Sequence, residues 1–140
     1  MPITLQQDRD GRLSLWTFSD PFTAQELADT IDVFQQEILD KAHHKVYLIC
    51  DFTQVHHLPP NIMSAGLKMI KKPHPMSGPV IEVTSNGFIH AVVSAFAKLT
   101  PKGMVSVRKT MTEALAEVDH RLALEAQDRM PETPASPRHG

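Results

Sequence analysis

The stretch KVYLICDF, from Lys45 to Phe52, decides the fold of this protein. It joins β-branched, aromatic and aliphatic residues without a break, which is the pattern of a central strand covered on both faces. Such a strand lies inside a parallel or mixed sheet, so other elements must pack on it from two sides. The sequence on either side of it should therefore alternate between strands and helices.

Two strands and a helix are predicted before this stretch. Residues 3–8 and 12–18 alternate between apolar and polar side chains around an Asp-Gly pair, which predicts a β-hairpin with a tight turn. Thr23 and Glu26 have the spacing of a capping box, in which each residue caps the backbone of the other. Apolar residues then recur every three or four positions, and this stripe predicts a helix from Thr23 to about Ala42.

The alternation continues after the central strand, with prolines and glycines marking the breaks. The predicted elements are a helix over 61–72, a strand over 79–85, an apolar helix over 86–99, a short strand over 104–107 and a last helix that begins at Thr110. The order β-β-α-β-α-β-α-β-α predicts one α/β domain over residues 1–130, with a mixed, mostly parallel β-sheet and packed helices. Residues 131–140 are rich in proline and predict a disordered tail.

Composition excludes several classes of protein. The 140 residues include 14 Lys and Arg against 16 Asp and Glu, so no cationic field exists to hold a nucleic acid. A single cysteine excludes an intrachain disulfide framework and a four-cysteine zinc site, which favours a reducing compartment. No secretory signal begins the chain, and the apolar run over 87–99 is too short for a membrane span. We expect a soluble, cytoplasmic protein.

Polar side chains follow two neighbouring strands of the predicted sheet. Ligands of such sheets gather at the carboxyl ends of parallel strands, so this edge is the candidate site for an interaction or a ligand. The candidate residues there are Asp51, Thr53, Gln54, Thr84, Ser85 and Asn86. The same side chains also suit turns and helix caps, with Ser85 or Asn86 capping the apolar helix.

Neither a metal site nor a catalytic motif is indicated. The histidine pairs at 43–44 and 56–57 point in different directions in any regular element, and no cysteine pair completes a ligand set. Cys50 lies within the apolar strand, where burial raises the pKa of a thiol and makes it unreactive. The six glycines do not form a phosphate-binding loop. We therefore predict a protein that is not an enzyme and has no cofactor.

The segment VYLICDFTQVHHLPPNIMSAGLKMI, followed by a proline-rich loop and PVIEVTSNGF, resembles a bacterial STAS-like domain. This is the fold of anti-sigma-factor antagonists of the SpoIIAA type and their divergent relatives. Asp51-Phe52-Thr53 resembles the turn that ends the central strand in the antagonists, and Ser64-Ala65-Gly66-Leu67 resembles the stretch that starts their next helix. The resemblance implies that Thr53 and Ser64 are phosphorylation candidates, and that the partner is a kinase or an anti-sigma-like regulator.

The leading hypothesis is a regulatory domain that acts by protein–protein docking through the loop 53–61 and the helix that follows it. Two alternatives remain open at this point. One is a domain that binds a small apolar ligand or a lipid, similar to Sec14-type domains, with walls made by Met63, Met69, Phe88 and Phe96. The other is a hydrolase or transferase that uses Asp51 and Thr53 with a nearby histidine. The apolar helix 86–99 also predicts self-association into a homodimer.

Overall fold

A computed structural model describes residues 2–71 and 73–129 of the chain. The predicted tail over 131–140 lies outside the described residues. The elements are β1 (Ile3–Asp8), β2 (Leu13–Ser19), α1 (Ala24–Phe34), β3 (Val46–Gln54), α2 (Ile62–Lys71), β4 (Ser77–Val83), α3 (Gly87–Ala97), β5 (Val105–Arg108) and α4 (Met111–Arg129). This order of strands and helices is the predicted one.

The strands form a five-stranded sheet in the order β1-β2-β3-β4-β5. β1 and β2 are antiparallel, while β2, β3, β4 and β5 are parallel to one another. β3 is the central strand, and all of its residues from Val46 to Cys50 are buried, as the unbroken apolar pattern predicts. The predicted α/β class with a mixed, mostly parallel sheet is confirmed.

The helices cover the two faces of the sheet unequally. The larger core lies between one face and the helices α1, α2 and α3, and it contains a row of aromatic rings that includes Trp16, Phe18 and Phe34. The smaller core lies under α4 on the opposite face, where Ala114 and Val118 are fully buried. Because three helices share one face, the spaces between them and the sheet are harder to fill on that side.

The ends of several elements differ from the prediction for local reasons. The first turn is not a two-residue Asp-Gly turn, because Arg9 to Gly11 form one turn of 3-10 helix with positive φ angles at all three residues. The Asp8 carboxylate accepts a hydrogen bond from the Arg9 amide at 2.7 Å and holds this turn.

Thr23 and Glu26 form the predicted capping box, with distances of 3.0 and 2.8 Å. The helix then continues as a π-helical turn and ends at Leu39 instead of Ala42.

β4 begins two residues earlier than the predicted strand, at Ser77. Val46 pairs with Ser77 and Leu48 pairs with Val80, so the register shifts where Pro79 stands. Proline lacks the amide hydrogen that a regular ladder needs, and a bulge accommodates it. Gly78 is required there because a Cβ atom would lie 2.9 Å from the Val46 carbonyl oxygen. The register of the next residues places Glu82 on the face covered by three helices.

Candidate functional site

An apolar cavity lies between the sheet and the helices α1, α2 and α3. Its volume is about 130 Å³. The side chains of β2, β3 and β4 form its floor, and α1, α2 and α3 contribute its roof through Ile31, Met69 and Phe96. Engineered apolar cavities of ~150 Å³ stay dry and bind benzene, so a space of this size accepts a single ring or a short chain.

The mouth of the cavity is at the edge of the sheet where the parallel strands begin. Pro73 and Pro101 line the cavity and are exposed, while Ser77 and Met104 line it and are half-buried. These residues belong to the connections that lead into β4 and β5. The cavity therefore reaches the surface at the amino ends of the parallel strands, opposite to the edge selected from the sequence.

Glu82 is the one acidic residue among the described residues that line the cavity. It lies in the middle of β4, pairs with Cys50 of β3 on one side and with Val107 of β5 on the other, and is only 8% exposed. Its Oε2 atom has no hydrogen-bond partner among the described residues. Burial raises the pKa of Glu82 to about 8, although a hydrogen bond with the Cys50 thiol opposes this rise. The carboxyl group therefore carries its proton at neutral pH.

Cys50 forms part of the same wall. It is 5% exposed, and desolvation raises the pKa of its thiol well above the usual value, with the Glu82 carboxyl adding to the effect. A protonated, buried thiol is a poor nucleophile. The structure thus confirms the prediction of a buried cysteine with a raised pKa, and it gives the thiol a role in holding the Glu82 carboxyl.

A second, smaller space of about 70 Å³ adjoins the cavity and also has Glu82 in its wall. The Phe96 ring and Gly66 line both spaces. A Cβ atom at Gly66 would lie 2.9 Å from Cε1 of Phe96, so glycine is needed for the close approach of α2 to this ring. The ring edge and the glycine together shape the boundary between the two spaces.

The pocket walls named from the sequence are partly right. Met69 and Phe96 line the larger space, and Met63 lines the smaller one. Phe88 is 68% exposed on the surface of α3 and lines neither space, so that part of the expectation is wrong. It occupies the second helical position after the cap, where its side chain faces outward.

The residues predicted to follow the central strand are its last residues, because β3 continues to Gln54 instead of ending at Phe52. They make local hydrogen bonds at the edge of the sheet opposite to the mouth of the cavity. The Asp51 carboxylate accepts hydrogen bonds from the Thr53 amide at 2.9 Å and from the Thr53 hydroxyl at 2.6 Å. Thr53 and Gln54 are exposed. The His56 side chain is engaged elsewhere, since its ring Nδ1 lies 3.1 Å from the Asp20 carboxylate, which also accepts a hydrogen bond from the His56 amide at 2.7 Å. The backbone hydrogen bond from His56 is also the main reason why the pKa of Asp20 is lowered.

The predicted residues after β4 serve the start of α3. The Asn86 side chain accepts hydrogen bonds from the amides of Phe88 and Ile89, at 2.9 and 3.1 Å, and is therefore the cap. Thr84 is buried, and its hydroxyl accepts a hydrogen bond from the Asn86 amide at 3.1 Å. Ser85 is exposed beside them. The structure thus decides between the two capping residues that the sequence left open.

Ser64 is exposed in the first turn of α2. Gly66 and Met69, on the same helix, face the cavity. α2 therefore presents a hydroxyl group to solvent on one side and roofs the cavity with the other. Lys68, one turn after Ser64, is also exposed.

Residues 2–71 and 73–129 contain neither a cluster of metal ligands nor a membrane-spanning helix. No group of three or more His, Cys, Asp or Glu side chains converges within these ranges. No helix there is long and apolar enough to cross a lipid bilayer. The histidines instead make local contacts, such as the hydrogen bond of 2.7 Å between His74 Nε2 and the Asp40 carboxylate.

Comparison with known proteins relates this chain to solved structures. No protein-family model matches it, and no curated protein matches it. An uncharacterized protein of the DUF3478 family from Shewanella loihica PV-4, with a SpoIIAA-like fold, has a similar structure: the TM-score is 0.61, the identity is 13%, and the match covers 81% of this chain and 90% of that one. The protein TM1081 is similar with a TM-score of 0.62 and 14% identity, over 82% of this chain and 86% of that one. The chain therefore has a SpoIIAA-like α/β fold, as the STAS-like resemblance implies.

Proposed function

We propose that this protein is a non-enzymatic binding domain that holds a small, mostly apolar molecule in the cavity beneath α1, α2 and α3. The observation that carries the proposal is an apolar space of about 130 Å³ with one buried carboxyl group in its wall. A mostly apolar pocket with few polar groups is the usual form of a small-molecule site. The mouth between the connections at Pro73 and Pro101 supplies an entry route.

The test is ethylbenzene binding, measured by isothermal titration calorimetry and by the rise in unfolding temperature. A ligand present at 100 times its Kd stabilises the folded state by ~2.7 kcal/mol. The variant Val80→Phe places a ring in the cavity and should abolish binding. Val33→Phe is the matched control, because Val33 is 51% exposed on α1 and does not line this cavity. Binding to wild type and to Val33→Phe, but not to folded Val80→Phe, supports the proposal. Failure of the wild-type protein to bind contradicts it.

A second function is favoured by the exposure of Ser64 and Thr53. In this proposal the protein is a cytoplasmic regulatory domain that docks onto a kinase or an anti-sigma-like partner through the loop 53–61 and α2. A phosphate group adds nearly two negative charges and would change such a surface strongly. Ser64 is the better of the two candidates, because a phosphate on Thr53 would be repelled by the Asp51 carboxylate that now accepts its hydroxyl hydrogen.

Native mass spectrometry of the protein purified from its own host tests this second function. A phosphate mass that disappears in Ser64→Ala and persists in Thr53→Val, together with a bound protein partner, is the expected result. Wild-type protein that carries neither phosphate nor partner contradicts it. The two proposals are compatible, since α2 contributes to both the cavity and the docking surface.

A further inference from the structure

We infer that the ligand is a neutral carbonyl compound whose oxygen accepts a hydrogen bond from the Glu82 carboxyl group. This inference rests on the proposed function and adds the chemical class of the molecule and the residue that selects it.

The sheet places Glu82 in a row of side chains that all face the three helices. Trp16 pairs with Cys50, Cys50 with Glu82, and Glu82 with Val107 across β2, β3, β4 and β5. In this row the Cys50 thiol lies beside the Glu82 carboxyl group and lowers the pKa of that carboxyl through a side-chain hydrogen bond. The carboxyl group therefore contacts Cys50 of the neighbouring strand on one side and lines both spaces on the other.

The unpartnered Oε2 atom is the reason to expect a polar group on the ligand. A buried polar atom without a hydrogen bond destabilises the folded state, so such atoms are rare unless something else satisfies them. The side chains of Leu27, Phe52 and Phe96, which line both spaces, offer no hydrogen-bonding group, and no described residue donates to or accepts from this oxygen. A ligand oxygen would therefore complete this site.

The charge of the wall favours a neutral ligand. No Lys, Arg or His occurs among the described residues that line the two spaces, so an anionic ligand would have no counter-ion there. A cationic ligand would require Glu82 to ionise in an apolar space, which desolvation opposes. A protonated carboxyl group is instead a good donor to a carbonyl oxygen.

The test compares two molecules of the same shape, acetophenone and α-methylstyrene, which differ in having C=O or C=CH₂. We expect acetophenone to bind the wild-type protein about tenfold more tightly, since it gains one hydrogen bond and satisfies the unpartnered oxygen of Glu82. In Glu82→Leu the preference should disappear because acetophenone weakens while α-methylstyrene is unchanged or improves. Glu82→Gln keeps a hydrogen-bond donor and should keep part of the preference for acetophenone. This variant therefore still tests the inference if Glu82→Leu does not fold.

The outcomes separate this inference from the proposed function. Equal binding of acetophenone and α-methylstyrene to wild type would overturn the inference and leave the cavity as a site for apolar molecules. Tighter binding of benzylamine or benzoate than of acetophenone would also overturn it, because the ligand would then be an ion. Absence of binding by all four compounds, and by ethylbenzene, would instead contradict the proposed function itself.

Discussion

Cys50 and Glu82 are register partners on the adjacent parallel strands β3 and β4, and their side chains meet in the wall of the apolar cavity. Burial is the main cause of the raised pKa of both groups. The Glu82 carboxyl raises the pKa of the Cys50 thiol further, whereas the hydrogen bond with Cys50 lowers the pKa of Glu82. This pair is the polar centre of an otherwise apolar space.

Glu82→Gln should alter how stability depends on pH. The pKa of Glu82 is about 8 in the folded protein against 4.5 in the reference state, so the folded chain keeps a proton that the unfolded chain releases between these values. The free energy of unfolding therefore falls as pH rises from about 4.5 to about 8, by an amount on the order of 4 kcal/mol. The variant should lack this loss and exceed the wild type in stability at pH 9. Urea denaturation at pH 5, 7 and 9 measures it.

The control for this prediction is Glu37→Gln. Glu37 is exposed and pairs with Lys41 at 3.3 Å, and such surface pairs contribute little. Its pH profile should follow that of the wild type. Cys50, which faces Glu82, stays protonated through this range because the pKa of its thiol is raised. Parallel profiles for wild type and Glu82→Gln would show that the carboxyl group is not buried as described.

Gly66→Ala should reduce the space available to a ligand. The new Cβ atom would lie 2.9 Å from the Phe96 ring, and the ring end can move into the cavity beside it. The better helix propensity of alanine, ~1 kcal/mol, offsets part of the strain, so the fold should persist. Ethylbenzene affinity should fall, and the double variant Gly66→Ala/Phe96→Leu should recover it. Calorimetry checks both.

Gly87→Ala is the matched control for this substitution. Nothing lies within 4 Å of a Cβ atom at Gly87, so its effect on ethylbenzene binding should be negligible. Unchanged affinity in Gly66→Ala would mean that the Phe96 ring does not bound the ligand site.

Asn86→Ala should destabilise the protein by ~1 kcal/mol, because it removes the acceptor for two amides at the start of α3. Asn86→Asp retains the acceptor and should retain most of the stability. Ser85→Ala, at the neighbouring exposed position, should have little effect. Chemical denaturation of the three variants checks the order, and a larger loss for Ser85→Ala than for Asn86→Ala would contradict the assignment of the cap.

Phe88→Ser tests the predicted self-association. Phe88 and Leu99 are 68% and 58% exposed at the two ends of the segment that is predicted to mediate the contact. We expect the wild-type protein to dimerise at high concentration and the variant to do so more weakly. Sedimentation equilibrium gives the masses. A monomeric wild-type protein at high concentration would exclude this contact.

Much of the fold follows from local sequence signals. The uninterrupted run over 45–52 specifies a strand buried on both faces, and the Thr23–Glu26 capping box fixes the start of α1. The errors are at element ends, where they depend on details such as the register shift beside Pro79. Hydrophobic periodicity reports which face is buried, but it does not report where a ladder bulges or where a helix widens into a π turn.

The cavity could not be predicted in the same way. Its volume depends on how three helices that are distant in sequence pack over one face of the sheet. Local sequence patterns do not predict the gaps that this packing leaves. One signal was present, since Glu82 interrupts an apolar strand between Ile81 and Val83, both fully buried. Its partner Cys50 becomes visible only when the pairing of β3 with β4 is known. The residues at the opposite edge, such as Asp51 and Asn86, form the turns and caps that were the alternative interpretation.

The most direct measurement of the central claim is a methyl NMR titration of the protein with ethylbenzene, with the methionine methyl groups labelled with ¹³C. Met69 and Met104 line the cavity, whereas Met111 is the first residue of α4 and packs against the smaller core on the other face of the sheet. We expect saturable shifts at Met69 and Met104, none at Met111, and loss of these shifts in Val80→Phe. Equal or absent shifts at the three methionines would contradict a ligand site in this cavity.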